Sequence, residues 1–328
     1  MINLKKILIY NSGGGLGDSI QLFPLLLSLK KYFKSSTFYY LGSHQNHFEK
    51  KLKNYNIQLK TVNLDLEYFG FRWWHFFSVK KKIVNKGIEK FDLIIDLQSK
   101  IRNTIILKQI PAKYFFSSTF NFFFCDGKKN YLKKSRSISV TMLANLEIFL
   151  DNPLEIIEYS TKNISKRYHD EAKRLLPDNN YIGFSVTQGN EYRRKGWHID
   201  KFINLAKKCI SDGKRIVFFV EKSEAVLINH IKTELPDSLF PEHRSEIACP
   251  ALVTTLASRL EGAITIDNGV MHMIGLTKIP MIVLFGPTNS KKFAPDGSNI
   301  EIIDSKVIYK SEDINKITVQ DVLKKINF

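Results

Sequence analysis

The sequence predicts an α/β protein of two doubly wound domains, each with a parallel sheet covered by helices on both faces. The chain has 328 residues, which is too long for one ordinary domain and suits two of about 150 residues each. Short apolar runs of strand length alternate with segments of helical periodicity, the pattern of a parallel sheet. The alternation pauses near the middle of the chain and then begins again, so the same architecture is expected twice.

In the first half, the apolar run Lys5–Tyr10 predicts a buried parallel strand. A glycine-rich turn at residues 12–18 follows it, and Ile20–Phe33 has the spacing of a helix. Pro24 stands near the start of that helix, where proline is tolerated. Two further strands of this half are predicted at Thr37–Leu41 and Asp92–Leu97.

The second half repeats the order of strand, turn and helix. Its predicted strands are Tyr181–Val186, Arg215–Val220, Gly262–Ile266 and Met281–Phe285. Its predicted helices are Ile199–Ser211, Glu224–Thr233, Ala248–Leu260 and Gly269–Leu276. The polar stretch between Asp151 and Pro177 is the expected junction, so we predict domains over residues 1–160 and 161–328. The final segment, Thr318–Asn327, is expected to be a helix that packs back on the N-terminal domain.

Composition limits the classes of function without choosing among them. Lys and Arg number 49 against 32 Asp and Glu, a formal net charge of +17, which favours nucleic acid, an acidic lipid surface or a phosphorylated substrate as partner. Three cysteines without a Cys-x-x-Cys spacing predict buried reduced thiols rather than zinc ligands or disulfides; they are Cys125, Cys209 and Cys249. Because no run of about 18 uncharged apolar residues occurs, we expect a soluble protein that can still touch a membrane surface.

The first candidate site is the glycine turn at residues 12–18, which ends in Asp18. It follows the carboxyl end of a predicted strand, where α/β sheets bind ligands. A carboxylate there could accept a proton from a hydroxyl group as a general base. A helix N-cap is the alternative, and the local pattern alone favours it. The glycine spacing does not fit a dinucleotide fingerprint, and the charge of Asp18 disfavours a phosphate at that turn.

The second candidate is the polar loop at residues 185–197, which carries three consecutive cations, the last of them Lys195. Hydroxyl, amide and cationic groups in such a loop can bind phosphate, and Thr187 is among them. A solvated basic loop is the alternative. Trp197, of a type that is usually buried, would hold Lys195 in place and favours the binding interpretation.

Three more features of the second half suit a nucleotide. The turn Asp267–His272 could direct backbone N–H groups at a diphosphate, or it could be an ordinary turn with an Asp cap and a core histidine. Phe285–Thr288 follows another buried strand and could be a simple turn. Glu224 could bind ribose hydroxyls, or be an exposed acid at a helix start. Together they predict a nucleotide in the second half, with Asp18 alone in the half that would bind an acceptor.

These motifs together resemble glycosyltransferase family 9, the heptosyltransferases of bacterial lipopolysaccharide core synthesis, over nearly the full chain. The matching elements are Gly17-Asp18 with Pro24 and Leu29-Lys30, Asp92–Gln98 with Arg102, Lys195-Gly196-Trp197, Asp267–His272, and Gly286-Pro287-Thr288. Three features differ from the family pattern. The run Gly13-Gly14-Gly15 is richer in glycine than is usual. Asn268 stands where threonine is usual, and His198 follows Trp197 where proline is common.

The resemblance implies a GT-B fold, with two Rossmann-like domains facing across a cleft. It implies inverting, metal-independent transfer of heptose from ADP-heptose to a lipopolysaccharide or lipooligosaccharide core, with Asp18 as the general base. The donor residues would be Thr187, Lys195, Glu224, Asp267, Asn268, Gly269, His272, Gly286 and Thr288, and the acceptor residues Gln98, Arg102 and Arg136. No metal ion or other cofactor is implied, because Lys195 and helix amides would stabilise the charge on the leaving phosphate.

The basic excess then suits an acidic glycolipid acceptor and a cytoplasmic enzyme at the anionic inner face of a membrane. Lys80–Lys82 follow an aromatic stretch that contains Trp73 and Trp74. A second basic group consists of Lys128, Lys129, Lys133, Lys134 and Arg136. Aromatic and basic residues together suit a membrane interface, but a core strand beside a solvated loop explains them equally well.

Other functions stay open at this point. They are a dinucleotide-dependent oxidoreductase, a glycosyltransferase of another surface glycan with a different nucleotide-sugar, a nucleic-acid-binding protein, and a non-catalytic relative that binds a nucleotide or glycan. The missing fingerprint disfavours the first, and no nucleic-acid-binding motif supports the third. Retention of Asp18, Lys195 and His272 disfavours the last.

Overall fold

The computed structural model describes residues 4–42, 46–70, 72–127, 129–132, 138–189, 192 and 195–328. The chain forms two compact units, and the boundary between them lies between Tyr159 and Ser160. Each unit contains one sheet of five parallel strands. The predicted class, α/β with two parallel-sheet domains, is therefore confirmed.

The first unit alternates strands and helices. Its elements are β1 (Lys6–Asn11), α1 (Leu16–Ile20), α2 (Phe23–Tyr32), β2 (Thr37–Gly42), β3 (Lys60–Thr61), α3 (His75–Asn85), β4 (Phe91–Asp96), α4 (Ile101–Leu107), β5 (Ala112–Ser117) and α5 (Ile138–Leu150). The apolar residues of β1 are inaccessible to solvent, as expected of a parallel strand with helices on both faces.

The strand order in this unit is β3-β2-β1-β4-β5. Tyr10 of β1 lies opposite Leu41 of β2 on one side and Asp96 of β4 on the other. The order of strands reverses between β1 and β4, and ligands of such sheets bind at the carboxyl ends of the strands where this happens. In this unit the glycine turn after β1 and the segment after β4 meet at that position.

The second unit begins the alternation again with a helix. Its elements are α6 (Lys166–Leu175), β6 (Tyr181–Ser185), α7 (Ile199–Ser211), β7 (Arg215–Phe219), α8 (Ala225–Glu234), α9 (Pro250–Ala257), β8 (Gly262–Ile266), α10 (Gly269–Gly275), β9 (Met281–Phe285), α11 (Ser290–Phe293), β10 (Ile300–Asp304), α12 (Ser305–Ile308) and α13 (Val319–Leu323). The strand order is β10-β9-β8-β6-β7. The reversal falls between β6 and β8, where Ser185 lies opposite Thr265.

Helix α7 shows how this sequence produces the packing. Phe202, Leu205, Ala206 and Cys209 recur every three or four residues and are buried against the sheet. Gly213 ends the helix with a φ of +79°, a left-handed conformation that glycine adopts without strain. One apolar stripe of α7 therefore contributes to the core of the second unit.

Helix α13 packs within the second unit. Val322 is buried in the core of the second unit, and Val319 and Leu323 pack on the same core. The helix contacts α7. Its apolar residues thus cover the outer side of a helix within their own unit.

Two predicted helices differ in extent from the observed ones. The helix expected over Ile20–Phe33 begins later, as α2 at Phe23, with Pro24 in its first turn, where its missing N–H breaks no bond. A separate short helix, α1, begins in the segment expected to be the glycine turn and ends at Ile20. The helix expected from Ala248 likewise begins later, at Pro250, with that proline in its first turn. Among the described residues, no helix is both long and apolar enough to cross a membrane.

Candidate functional site

In the first unit, the glycine turn after β1 closes tightly around Asp18. A Cβ atom on Gly13 would lie 2.7 Å from the Cβ atom of Asp18, so only glycine fits at that position. The Asp18 carboxylate reaches back and accepts a hydrogen bond of 3.2 Å from the backbone N–H of Gly15, the N-cap of α1. Asp18 is thus not the N-cap of the alternative interpretation but the third residue of α1, and its bond to the N-cap residue orients the carboxylate at the carboxyl end of β1.

Gln98 joins the ends of β1 and β4. Its side-chain amide donates a hydrogen bond of 2.6 Å to Oδ1 of Asn11. The same oxygen accepts a bond of 3.0 Å from the backbone N–H of Gly13. Gln98 is thus coupled through one atom to the turn that holds Asp18.

A buried carboxylate, Asp96, accepts a hydrogen bond from the backbone of Gln98 and so fixes its position. It is fully buried, and its Oδ1 accepts a bond of 2.9 Å from the backbone N–H of Gln98. The hydroxyls of Thr104 and Ser117 donate to its Oδ2 at 2.6 and 2.8 Å. Burial raises the pKa of Asp96 to about 6, although these hydrogen bonds act to lower it.

Arg102 contacts the loop that precedes α3. Its Nε atom donates a hydrogen bond of 2.7 Å to the carbonyl oxygen of Gly70. Its guanidinium lies 5.9 Å from the centre of the Trp73 ring. The structure brings Gln98 to the glycine turn and directs Arg102 at this loop. The third residue predicted for the acceptor, Arg136, lies outside the described residues, as do Lys128, Lys133 and Lys134 of the predicted basic group.

A cavity of about 710 Å³ opens in the first unit at the carboxyl ends of β2 and β3. Tyr40, Asn46, Glu49, Thr61 and Phe69 are among the residues that line it. Its volume lies within the range of sites for small organic ligands. The cavity adjoins β2, the strand next to β1. Gly42 at the end of β2 lies opposite Asn11, the last residue of β1.

In the second unit, Lys195 and Asp267 form an ion pair at the ends of β6 and β8. The Lys195 Nζ atom lies 2.5 Å from Oδ2 of Asp267, and the side chains are only 13% and 7% exposed. The backbone N–H of Lys195 donates a bond of 2.6 Å to the side chain of Gln188. Trp197, as predicted, is buried, and its indole N–H donates to the carbonyl oxygen of Ile317 at 2.9 Å. The loop is therefore anchored on both sides of its lysine.

Asn268 fastens the turn after β8 to the loop after β6. Its Oδ1 accepts a bond of 2.8 Å from the backbone N–H of Met271 and so caps α10. Its Nδ2 donates to the Ser185 hydroxyl at 2.7 Å and to the carbonyl oxygen of Thr187 at 2.9 Å. The structure thereby brings together Thr187, Lys195, Asp267 and Asn268, four of the predicted donor residues, with Gly269 following as the first residue of α10.

The loop after β9 carries Gly286 and Thr288. A Cβ atom on Gly286 would lie 2.9 Å from the carbonyl oxygen of Glu312, so glycine permits this close approach. The Thr288 hydroxyl is buried and has no hydrogen-bond partner among the described residues, a state that usually has a specific reason. Lys306 donates to the carbonyl oxygen of Thr288 at 2.7 Å. Lys306 was not predicted from the sequence, because neither β10 nor this contact, 18 residues away along the chain, has a local pattern.

Two more predicted donor residues lie in the segments that follow β7 and β8. Glu224 is exposed at the N-terminus of α8, after β7, the neighbour of β6 in the sheet. His272 is buried within α10. Among the described residues, no group of three or more His, Cys, Asp or Glu side chains could hold a metal ion.

Comparison with known proteins gives the same assignment from several directions. The sequence model of glycosyltransferase family 9 (heptosyltransferase) matches residues 77–324. Lipooligosaccharide heptosyltransferase 2 of Campylobacter jejuni is 22% identical over 294 residues, which cover 85% of this chain and 81% of that protein.

Two solved structures have a similar fold. The glycosyl transferase family 9 protein of Veillonella parvula has a TM-score of 0.73 at 19% identity, covering 99% of this chain and 97% of that one. E. coli heptosyltransferase WaaC with ADP-2-deoxy-2-fluoro heptose has a TM-score of 0.67 at 13% identity, covering 97% and 98%. These likenesses confirm the predicted GT-B class. Because the family model spans about three-quarters of the chain, the protein is a glycosyltransferase and belongs to family 9.

Proposed function

We propose that the protein transfers heptose from ADP-heptose to the core of a lipopolysaccharide or lipooligosaccharide acceptor. The observation that carries this proposal is the buried Lys195–Asp267 pair at the strand reversal of the second unit, because a cation at that position suits a diphosphate. The proposed substrates follow the relatives. One is named for lipooligosaccharide, and another was solved with an ADP-linked fluoro-heptose.

The proposed reaction is a single displacement at the anomeric carbon. Asp18 accepts the proton of the acceptor hydroxyl while the oxygen of that hydroxyl forms a bond to the anomeric carbon. The bond between that carbon and the diphosphate oxygen breaks, and its electron pair leaves with ADP. Because attack and departure take place on opposite faces, the centre is inverted. The bond from Gly15 N–H holds the Asp18 carboxylate at the carboxyl end of β1, where we propose that it acts as the base.

On the donor side, Lys195 exchanges Asp267 for the diphosphate and stabilises the charge that develops on it. Thr187 and the backbone at Gly269 and Gly286 line the same edge of the sheet, and the buried Thr288 hydroxyl suits an oxygen of the donor. We further propose that Glu224 binds the ribose and that Asp267, Asn268 and His272 contact the donor sugar. With Lys195 in this role the reaction needs no metal ion, so transfer in excess chelator should proceed at an unchanged rate.

On the acceptor side, the cavity beside β2 offers room for a sugar. Gln98, Arg102 and Arg136 are the proposed acceptor residues, the two arginines for acidic groups of a glycolipid. Such an acceptor places the enzyme in the cytoplasm, at the anionic inner face of a membrane, with no role for nucleic acid.

The Asp18→Asn variant tests the proposed base. Asparagine can still accept the bond from Gly15, so the turn and ADP binding should be retained, while the transfer rate falls about 10²-fold or more. Transfer of heptose and ADP affinity would be measured separately, with exposed Asp151→Asn as the matched control. A variant that binds ADP and transfers heptose at the wild-type rate would exclude Asp18 as the base.

A second candidate is the same reaction with a different nucleotide-sugar. It is favoured by Asn268, whose side-chain oxygen and nitrogen are both occupied by protein groups, where the family pattern places a threonine hydroxyl. A thermal-shift screen of ADP-, GDP- and UDP-sugars separates the two candidates. Stabilisation by a GDP- or UDP-sugar, with none by ADP-heptose, would replace the heptose proposal.

A further inference from the structure

The surface around the start of α3 is aromatic and exposed. Trp73 and Trp74 are 55% and 63% exposed, and Phe77 is 81% exposed. Side chains of this size are commonly buried in folded proteins, and a contiguous exposed group of them marks an interaction site.

The exposed aromatic residues occupy one side of an amphipathic helix whose other side is already used. His75, Val79 and Ile83 repeat every four residues and are buried in the first unit. Within the helix, Phe77 and Val84 are seven residues apart and share the opposite face, and Trp73 and Trp74 lie in the turn just before the helix. Val84 is also exposed. Helix α3 thus has two apolar faces, and the fold of its own unit covers only one.

Cations interrupt this outer face, and carboxylates do not. Lys80 and Lys81 lie one turn after Phe77, and both are exposed. Within the described residues, neither lysine forms an ion pair, and the sequence from 72 to 88 contains no Asp or Glu. Arg72 lies over the ring of Trp74 at 5.7 Å. We call this group, Arg72, Trp73, Trp74, Phe77, Lys80, Lys81 and Val84, the aromatic–basic face.

We infer that the aromatic–basic face binds the surface of a bilayer that contains anionic lipid. Tryptophan is enriched at the interface between lipid and water, and basic residues close to the surface are attracted to anionic headgroups. Attraction between the basic residues and the anionic headgroups and insertion of the aromatic rings thus both contribute to binding. This inference concerns where the enzyme works, and it does not depend on the identity of the donor or on the role of Asp18.

The same face is a poor match for a protein partner. Lysine is depleted at interfaces between proteins, whereas here two lysines lie within the aromatic group. A symmetric dimer through this face would set Lys80 and Lys81 against their own copies, or close to them, in a chain with a net charge of +17. The lipid surface is the occupant that satisfies both the rings and the charges.

Tryptophan fluorescence offers a direct measurement, because the chain has three tryptophans and two of them are in this face. The third, Trp197, is buried in the second unit. With the full-length protein and vesicles of phosphatidylcholine and phosphatidylglycerol, we expect quenching by brominated acyl chains. Vesicles of phosphatidylcholine alone should give weak binding, and added salt should weaken binding to the anionic vesicles. Replacing Trp73 and Trp74 by phenylalanine leaves the buried Trp197 as the one tryptophan and should therefore abolish the quenching.

Variants separate the contributions. Trp74→Ser with Phe77→Ser removes two exposed rings, so the fold should persist while the partition coefficient falls at least tenfold. Lys80→Glu with Lys81→Glu should lower it by on the order of thirtyfold. The matched control is Lys173→Glu with Lys208→Glu, the same charge change at exposed positions of the second unit, and it should lower binding far less.

Three results would overturn the inference. They are no binding to anionic vesicles, wild-type binding by the Trp74→Ser, Phe77→Ser variant, and a dimer in light scattering that this variant dissociates. The last would make a second copy of the chain the occupant. Vesicle binding is measured without donor or acceptor, so its failure would be distinct from a failure of the proposed transfer reaction.

Discussion

Lys195 and Asp267 combine two opposite demands in one pair. The side chains are nearly buried and lie 2.5 Å apart, so each satisfies the charge of the other while the donor is absent. A buried cation without a partner would destabilise the fold by several kcal/mol. The carboxylate that prevents this is also a competitor for the diphosphate that we propose Lys195 binds.

Asp267→Asn separates these two effects. The free energy of unfolding without nucleotide should fall by about 3 kcal/mol, because Lys195 loses its counter-charge. ADP affinity should rise by on the order of tenfold, because the diphosphate no longer competes with a carboxylate. Calorimetric titration with ADP and urea unfolding measure the two quantities.

The matched control for this pair is Asp178→Asn, which breaks an exposed ion pair with Arg215 in the same unit. It should change neither quantity appreciably, since exposed pairs contribute little. Weaker ADP binding by Asp267→Asn would show that Asp267 does not compete with the nucleotide.

Sequence reasoning identified Lys195 and Asp267 but not their contact. They are 72 residues apart, and only the positions of β6 and β8 in the sheet bring them together. A role of Asp18 at the start of the helix was foreseen because the contact is local, three residues from Gly15, although Gly15 and not Asp18 is the N-cap. Side chains that act through distant backbone, such as Lys306 on the carbonyl of Thr288, leave no comparable local pattern.

Between elements, the ends of β1 and β4 are joined by Asp96, Gln98 and Asn11. The link runs from a buried carboxylate through the Gln98 amide to the oxygen that holds Gly13. The charge of Asp96 is therefore coupled to the geometry of the glycine turn. Because the described residues include no cation that forms an ion pair with Asp96, three hydrogen bonds stabilise its charged form alone.

The Asp96→Asn variant should show how much the ionised Asp96 destabilises the fold, because its stability relative to the wild type should depend on pH. Burial raises the pKa of Asp96 from 3.8 to about 6, so the folded protein retains a proton that the unfolded chain releases between pH 4 and 6. The contribution of this group therefore becomes less favourable as pH rises through that window, by about 3 kcal/mol in all. In urea unfolding from pH 4 to 7, the free energy of unfolding of the variant should rise relative to that of the wild type by that amount.

Asp92→Asn serves as the control for this measurement. The backbone N–H groups of Lys5 and Lys6 bond to Asp92, and its pKa is lowered. Its stabilising contribution is lost only as pH falls through and below 3.8, so its difference from wild type should be constant between pH 5 and 7. An equally flat difference for Asp96→Asn would mean that Asp96 is ionised as easily as a solvated carboxylate.

Strands were predicted from sequence more accurately than helix ends. Gly262–Ile266 and Met281–Phe285 were predicted to the residue, because buried parallel strands are continuous apolar runs with sharp limits. Helix α2 was predicted to start three residues too early, at Ile20 instead of Phe23, because apolar residues continue before Phe23 and only Pro24 marks the first turn. The two-residue strand β3 is too short to produce any pattern.

For the molecule as a whole, the two units have separate sheets and separate assignments. The strand reversal of the second unit carries Lys195 and Asp267, and that of the first carries Asp18 and Gln98. Their alternating pattern made the repeat of the architecture predictable from sequence. The place of α13 was not predictable, because an apolar stripe shows that a helix is covered but not by which unit.

Hydrogen exchange with and without ADP tests the proposed division of labour between the units. We expect ADP to slow exchange in residues 186–189, in α10 and in the loop after β9, because bound phosphate orders the backbone that contacts it. The glycine turn of the first unit should be unaffected. AMP, which lacks the second phosphate, provides the control. Protection centred on residues 12–18 would assign the nucleotide to the first unit instead.

The internal partner of Lys195 also has a consequence for selectivity among the anions of a cell. Any ligand must displace a carboxylate already in place at 2.5 Å, and inorganic phosphate offers only a single anionic group in exchange. A nucleoside diphosphate has two linked phosphates and a sugar. It can therefore make several contacts with the protein while it breaks one, the ion pair between Lys195 and Asp267. In the proposed site Asp267 would therefore compete more strongly with a single phosphate than with a diphosphate, and we expect abundant free phosphate to be a weak competitor of the donor.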